Sequence, residues 1–198
     1  MPNNFAQRQP MECTDSELMA RLAAGEDLAL NELMLRWRDR VGAFLYKMTG
    51  NGASAADLAQ ETFVKLYQAR ERYRPEAKFS TFIFSIAANL GRNQARWRKR
   101  HPTISLDQDN EGISYCAQAI DHGQTPDETA ASRDRLMGVH RAFMKLPEDL
   151  RETMTLFIYE NMSYSEISET LGCSLKAAET RIYRARQVLK EELKDIRQ

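Results

Sequence analysis

Apolar residues return at three- and four-residue intervals through almost the whole chain, and that spacing gives each segment one apolar helical face. Leu18, Leu22, Leu30, Leu33, Met34, Trp37, Val41, Phe44, Leu45 and Met48 fit it, with breaks at Gly25 and at Gly50-Asn51-Gly52. The next helix starts near Ser54 or Asp57 and places Leu58, Thr62, Phe63, Leu66 and Ala69 on one side. A third, FSTFIFSIAANLGRNQARWRKR, aligns Phe79, Phe82, Ile83, Ile86, Ala87 and Leu90. Further on, Leu136, Val139, His140, Phe143 and Leu146 share a face before Pro147, and Leu150, Met154, Phe157 and Ile158 share one after it. The expected fold is all-α.

One stretch breaks the pattern. Residues 101–132 hold six acids and no Lys or Arg, whereas residues 1–100 hold 16 bases against 11 acids and residues 133–198 hold 12 against 11. The formal net charge of zero is thus the sum of +5, -6 and +1. Turn formers without sustained periodicity read as a linker. The expectation is an N-terminal tail over 1–17, a helical domain over 18–100, a flexible acidic linker over 101–132 and a second helical domain over 133–198.

The stretch SYSEISETLGCSLKAAETRIYRARQVL joins two helices at an angle. Ser163 and Glu166 form a capping box, Gly172 stands where a helix needs a residue tolerant of positive φ, and Ser174 caps the second helix. In that helix Leu175, Ala178, Ile182, Ala185 and Leu189 make one apolar stripe, so Lys176, Ala177, Thr180, Tyr183, Arg184 and Gln187 face outward, flanked by Glu179 and Arg181. A helix-turn-helix sets its second helix in the DNA major groove. The same pattern also suits an αα-hairpin with a solvated basic face.

Two other faces read both ways. Asp57, Gln60, Glu61, Val64 and Gln68 lie opposite the apolar side of their helix, as a solvated face with one stray valine. Five of the nine residues from Arg92 to Arg100 are basic, with Asn93, Gln94 and Trp97 among them. That set can neutralise phosphates and stack on bases, or simply suit the negative pole of a helix end. The loop before this helix offers Tyr73, Arg74, Pro75, Lys78 and Phe79 to an unstacked base.

Several functions are excluded. No paired carboxylates, nucleophile with base or phosphate loop appears, so no catalysis is expected. Cys13, Cys116 and Cys173 lie far apart and form no cluster with His101, His122 or His140, which predicts reduced thiols, no metal and no cofactor. No apolar run is long enough to span a bilayer and MPNNFAQRQP lacks a signal-peptide core, so a cytoplasmic protein is expected.

Taken together, DLAQETFVKLYQA, FSTFIFSIAANLGRNQARWRKR and KLPEDLRETMTLFIYENMSYSEISETLGCSLKAAETRIYRARQVLKEEL resemble an extracytoplasmic-function sigma factor of the sigma-70 family, in order and over residues 18–193. The resemblance implies a region 2 domain and a region 4 domain that direct bacterial RNA polymerase to promoter DNA. It implies that Asp57, Gln60, Glu61, Val64 and Gln68 dock on the clamp helices of the polymerase beta-prime subunit, and that the second domain contacts the beta flap. Tyr73, Arg74, Lys78, Phe79, Ser80, Asn89, Arg92, Asn93 and Arg96 would melt and read the -10 element. Lys176, Glu179, Thr180, Arg181, Tyr183 and Arg184 would read the -35 element as duplex. Many relatives are held by an anti-sigma factor wedged between the domains.

Where many relatives carry a Gly-Thr-Val run and then a base, this chain has Lys176-Ala177-Ala178-Glu179. A carboxylate there accepts hydrogen bonds, as from cytosine N4, and repels phosphates, so the relatives' -35 sequence does not carry over. Two other classes compete with the sigma reading. An autonomous helix-turn-helix regulator leaves the first domain's aromatic loop and basic helix unused; a protein-binding adaptor of the anti-sigma type leaves both basic helices idle.

Overall fold

The computed structural model describes residues 13–101 and 137–194; the expected linker falls almost wholly outside them. The described residues are helical: α1 Asp15–Ala23, α2 Leu28–Thr49, α3 Gly52–Gln68, a 3-10 turn Arg70–Arg72, α4 Phe79–Arg100, α5 over 137–144, α6 Glu148–Tyr159, α7 Tyr164–Leu171 and α8 Leu175–Glu192. None of them is long and apolar enough to cross a membrane.

Local chemistry sets the boundaries. α1 opens on a capping box in which Thr14 Oγ1 accepts from Glu17 N at 3.2 Å and Thr14 N donates to Glu17 Oε2 at 2.6 Å. It therefore begins inside the stretch expected as a tail. α2 ends at Gly50, left-handed at φ 67, and Asn51 Oδ1 accepts from Ser54 N at 2.8 Å to start α3 at once. Arg98, from the far end of α4, donates to Thr49 O at 2.9 Å and Ser54 Oγ at 2.8 Å, which ties three helix ends together at this corner.

The first block packs Leu18, Leu33, Val41, Leu45, Leu66 and Ile83 around edge-on aromatic pairs, Trp37 with Phe79 at 5.1 Å and Phe44 with Phe84 at 5.2 Å between centroids. In the second block the expected corner is present. The capping box at Ser163 and Glu166 starts α7, Gly172 ends it at φ 63, and Ser174 Oγ accepts from Ala177 N at 3.2 Å to start α8. Ala178, Ile182, Ala185 and Leu189 are buried as expected, but Leu175, in the first turn, is 49% exposed and leaves the stripe.

The two blocks touch. α2 packs on α6 and α4 packs on α7, and the buried apolar side chains form one continuous cluster. This corrects the expected apolar faces. Phe84, Thr81 and Ala88 are buried on α4, while Phe82, Ile86 and Leu90 are only half-buried; Phe84 sits against Trp37 and Phe44 of α2, and α7 packs on α4 as well, so two sides of this helix are covered. α6 likewise buries Glu152, Thr153, Thr155 and Leu156 as well as Leu150 and Met154, whereas Ile158 is exposed. Val139 is exposed on α5, and His140, half-buried, stacks on Tyr46 of α2 at 5.4 Å.

Candidate nucleic-acid and protein interfaces

On α3, Asp57, Gln60, Glu61, Val64 and Gln68 are all at the surface, Val64 exposed by 54%. Sequence reasoning missed their neighbours. Tyr67 Oη bonds to Asp27 Oδ1 at 3.1 Å, which brings the start of α2 beside the end of α3, and there Leu28 and Leu35 stand 78% and 70% exposed. They are seven residues apart and share one stripe, and their mismatch with the buried side of α2 is the signal that could have found them.

The loop before α4 is held from within. Tyr73 Oη bonds to Ser16 Oγ at 2.7 Å and donates to Ala77 O at 3.0 Å, and its ring lies against Phe79 and Phe82. Tyr73 is thereby a positioning residue for the loop. Phe79 is a correction to the expected base-contacting set: at 5% exposed and edge-on to Trp37, it cannot meet a base without leaving the core. Arg74 and Asn89 are exposed, and Ser80 and Arg92 are half-buried; Lys78, Asn93 and Arg96 lie along the same surface. Asn89 Oδ1 accepts from Arg92 Nη2 at 2.5 Å, which orients the guanidinium.

Beside this loop lies a cleft of about 850 Å³ lined by Tyr73, Arg74, Lys78 and Thr81 from the first block and by Glu166 and Glu169 from the second. Lys78 Nζ reaches Glu166 Oε1 at 2.5 Å, while Glu166 Oε2 accepts from Ser163 N at 2.7 Å. The Lys78 ammonium and the capping contacts pull the Glu166 carboxyl down to about 2. Arg92 meets Glu152 at 3.3 Å and donates to Leu171 O at 3.4 Å. The Glu152 side chain is 2% exposed and its Oε2 is buried without a hydrogen-bond partner, so desolvation outweighs the Arg92 and Arg181 guanidinium groups and raises its pKa to about 7. Burial likewise raises Glu160, which Arg40 holds at 2.6 Å, and lowers His140, which lies near Lys47 and Arg151.

On α8, Lys176, Tyr183 and Arg184 are exposed, Tyr183 by 64%. Thr180 donates to Lys176 O at 2.7 Å, and Lys176 Nζ lies 3.5 Å from Glu179. Arg181 bends back toward Asp149 of α6 at 3.7 Å and is half-buried.

This geometry accords with the comparisons with known proteins. Residues 33–101 match the Sigma-70 region 2 model and residues 136–189 match the Sigma-70, region 4 model. The chain is 30% identical over 185 residues to the RNA polymerase sigma-H factor of Pseudomonas aeruginosa, covering 92% of this chain and 95% of that one. It is 29% identical over 189 residues to the ECF RNA polymerase sigma factor SigW of Bacillus subtilis, covering 94% and 100%. Among solved structures, CnrH in complex with the cytosolic domain of CnrY is similar at TM-score 0.66 and 26% identity, over 90% of this chain and 96% of that one. The sigma factor RpoE of Bartonella quintana, solved with the anti-sigma factor NepR, shares the fold at TM-score 0.63 and 21% identity, over 83% and 96%. With both regions matched in order and relatives aligned nearly end to end, the chain belongs to the sigma-70 family and is an extracytoplasmic-function RNA polymerase sigma factor.

Proposed function

We propose that this sigma factor divides its work among three surfaces. The outward face of α3, with Asp57, Gln60, Glu61, Val64 and Gln68 and the neighbouring Leu28 and Leu35, docks on the clamp helices of core polymerase. Leu28 and Leu35, 78% and 70% exposed and one heptad apart on α2, supply apolar surface that a protein partner can cover. Arg74, Lys78, Ser80, Asn89, Arg92, Asn93 and Arg96 hold the -10 strand, with Tyr73 and Phe79 fixing the loop from behind. Holding bases unstacked costs a few kcal/mol each, which stacking and pocket contacts offset. Lys176, Glu179, Thr180, Tyr183 and Arg184 meet the -35 duplex, with Arg181 at the margin.

The observation that carries this reading is α8: a stripe of Ala178, Ile182, Ala185 and Leu189 buried beneath it and Lys176, Tyr183 and Arg184 projecting from the other side, after a corner built on Gly172. The chain performs no chemistry itself, works in the cytoplasm where polymerase and promoter DNA are, and is held in reserve by a protein partner of the anti-sigma kind. CnrH, similar to this chain at 26% identity, was solved in complex with the cytosolic domain of a second protein, CnrY, which supports a protein partner.

Core RNA polymerase with this chain on a promoter library tests the whole. Specific run-off transcripts are expected. A tight footprint on duplex DNA by the chain alone, with no promoter firing, would instead establish an autonomous regulator.

A further inference from the structure

The buried acids at the seam where the two blocks meet, Glu152 and Glu160, are held by arginines of the first block. Glu179 is an acid of another kind. It stands in the second turn of α8, on the helix assigned above to duplex DNA, with its side chain 41% exposed; its partner is Lys176 of the same helix, 3.5 Å away and 86% exposed. The arginines that follow it are engaged elsewhere: Arg181 reaches back to Asp149 of α6 at 3.7 Å, and the Arg186 guanidinium lies over the Phe157 ring at 5.0 Å. Ala178, Ile182, Ala185 and Leu189 are buried beneath, which fixes the rotation of the helix and leaves Lys176, Glu179 and Tyr183 along one side of it.

An ionised carboxylate only accepts hydrogen bonds, and so do phosphate oxygens, so Glu179 gains nothing at the DNA backbone and is repelled by it. The donors that the major groove presents are the exocyclic amines, cytosine N4 and adenine N6. They differ in their neighbours. Adenine N6 lies between two acceptors, its own N7 and the O4 of the paired thymine, so a carboxylate there is opposed on both sides. Cytosine N4 has acceptors on one side only, the O6 and N7 of the paired guanine, and a lysine ammonium beside the carboxylate is the donor those two need. Lys176 and Glu179, donor beside acceptor, thus complement guanine beside cytosine. Thr180 directs its hydroxyl proton to Lys176 O at 2.7 Å, so it offers the groove no competing donor. We infer that Lys176 and Glu179 together read one C·G base pair of the -35 element, Glu179 accepting from cytosine N4 and Lys176 donating to guanine O6 and N7. The inference rests on the -35 assignment proposed above and adds the base that this end of the helix selects. A well-matched contact of this kind discriminates against the wrong base by about tenfold or more.

Holoenzyme reconstituted from core RNA polymerase and the full chain tests this by selecting bound fragments from a duplex promoter library randomised across the -35 element, with the enrichment of each base pair counted by sequencing. The wild-type chain is expected to enrich C·G at one position by about tenfold over the other pairs. Glu179→Ala should flatten that position and leave enrichment at the others as it was, and Lys176→Ala should weaken the same position. Glu179→Gln is the sharper variant: an amide offers a donor and an acceptor, which suit adenine N7 and N6, so A·T should rise against C·G there. A purely structural part for Glu179 would lower enrichment at all positions together. The inference is overturned if Glu179→Ala keeps the wild-type profile, if it flattens all positions alike, or if the position it flattens favours another base pair. Absence of any enriched -35 position in the wild-type holoenzyme is a different result, because it overturns the -35 assignment itself.

Discussion

Replacing Glu152 with glutamine isolates the cost of a carboxylate at the seam. The side chain is 2% exposed, Oε1 lies 3.3 Å from Arg92 and Oε2 is buried without a hydrogen-bond partner. Its pKa rises from 4.5 to about 7. Because the folded value is raised, the folded state holds a proton that the unfolded state releases, and stability falls as pH climbs from about 4.5 to about 7. At about 1.4 kcal/mol per pKa unit, ionising Glu152 in place costs about 3 kcal/mol above that window. Glutamine has nearly the same shape, keeps an oxygen toward Arg92 and never ionises. Glu152→Gln should therefore match wild type near pH 5 and exceed it by about 3 kcal/mol at pH 8, a rise of about 6–12 °C in melting temperature for a chain of this size.

The groups facing Glu152 are Arg92 from α4, Arg181 from α8, and Glu148 and Asp149 from its own helix. Other groups near the seam titrate too. Glu160, raised by burial, adds loss of the same sign, whereas His140, lowered, contributes stability that is lost as pH falls through its folded value. Glu166, lowered to about 2, matters only below about 4.5. All are common to both proteins and cancel in the difference. Urea titrations monitored by circular dichroism at pH 5, 6, 7 and 8, at constant ionic strength, give that difference directly. A Glu152→Gln variant less stable than wild type at pH 8, or a difference flat across the series, would refute the reasoning and make the pair with Arg92 a net stabiliser.

Other variants probe the corners, the core and the two contact faces. Gly172→Ala should cost about 1 kcal/mol in urea unfolding, for the left-handed backbone alone, since its Cβ meets open space. Gly50→Ala should cost a similar amount in the same assay, because its Cβ would meet only the end of the flexible Met144 side chain, which can swing aside. Phe84→Ala, at a fully buried site, should lose about 3–5 kcal/mol in the same unfolding assay. Val64→Asp should leave stability within about 0.5 kcal/mol yet abolish co-elution with core polymerase. Arg184→Ala should weaken specific -35 duplex binding by about 1–3 kcal/mol in a gel-shift assay of the holoenzyme while core binding is unchanged.

Features set by neighbours in the chain were legible in the sequence; those set by distant packing were not. The capping box at Ser163, the corner at Gly172 and the stripe under α8 each depend on residues within a few turns, and hydrogen-bond geometry allows them few alternatives. The outward face of α3 was legible for the same reason. Glu152 was not: an acid in an amphipathic helix reads as solvated, and its partner Arg92 on α4 lies 60 residues away in the chain. Phe79 misled in the opposite way, since an aromatic at a loop end looks available until Trp37 is seen against it. Leu175 sat in phase with a buried stripe but beyond the edge of the core.

The charge distribution acquires a different meaning from the seam. A first segment of +5 left in water would bind any nucleic acid by counterion release, and zero net charge by itself does nothing to prevent that, because counterions answer to local charge rather than to the total. Geometry decides how much of that charge is free. Arg40, Lys78, Arg92 and Lys99 each lie within 3.5 Å of a carboxyl oxygen of the second block, so the local charge that nucleic acid meets is set by ion pairing as well as by composition.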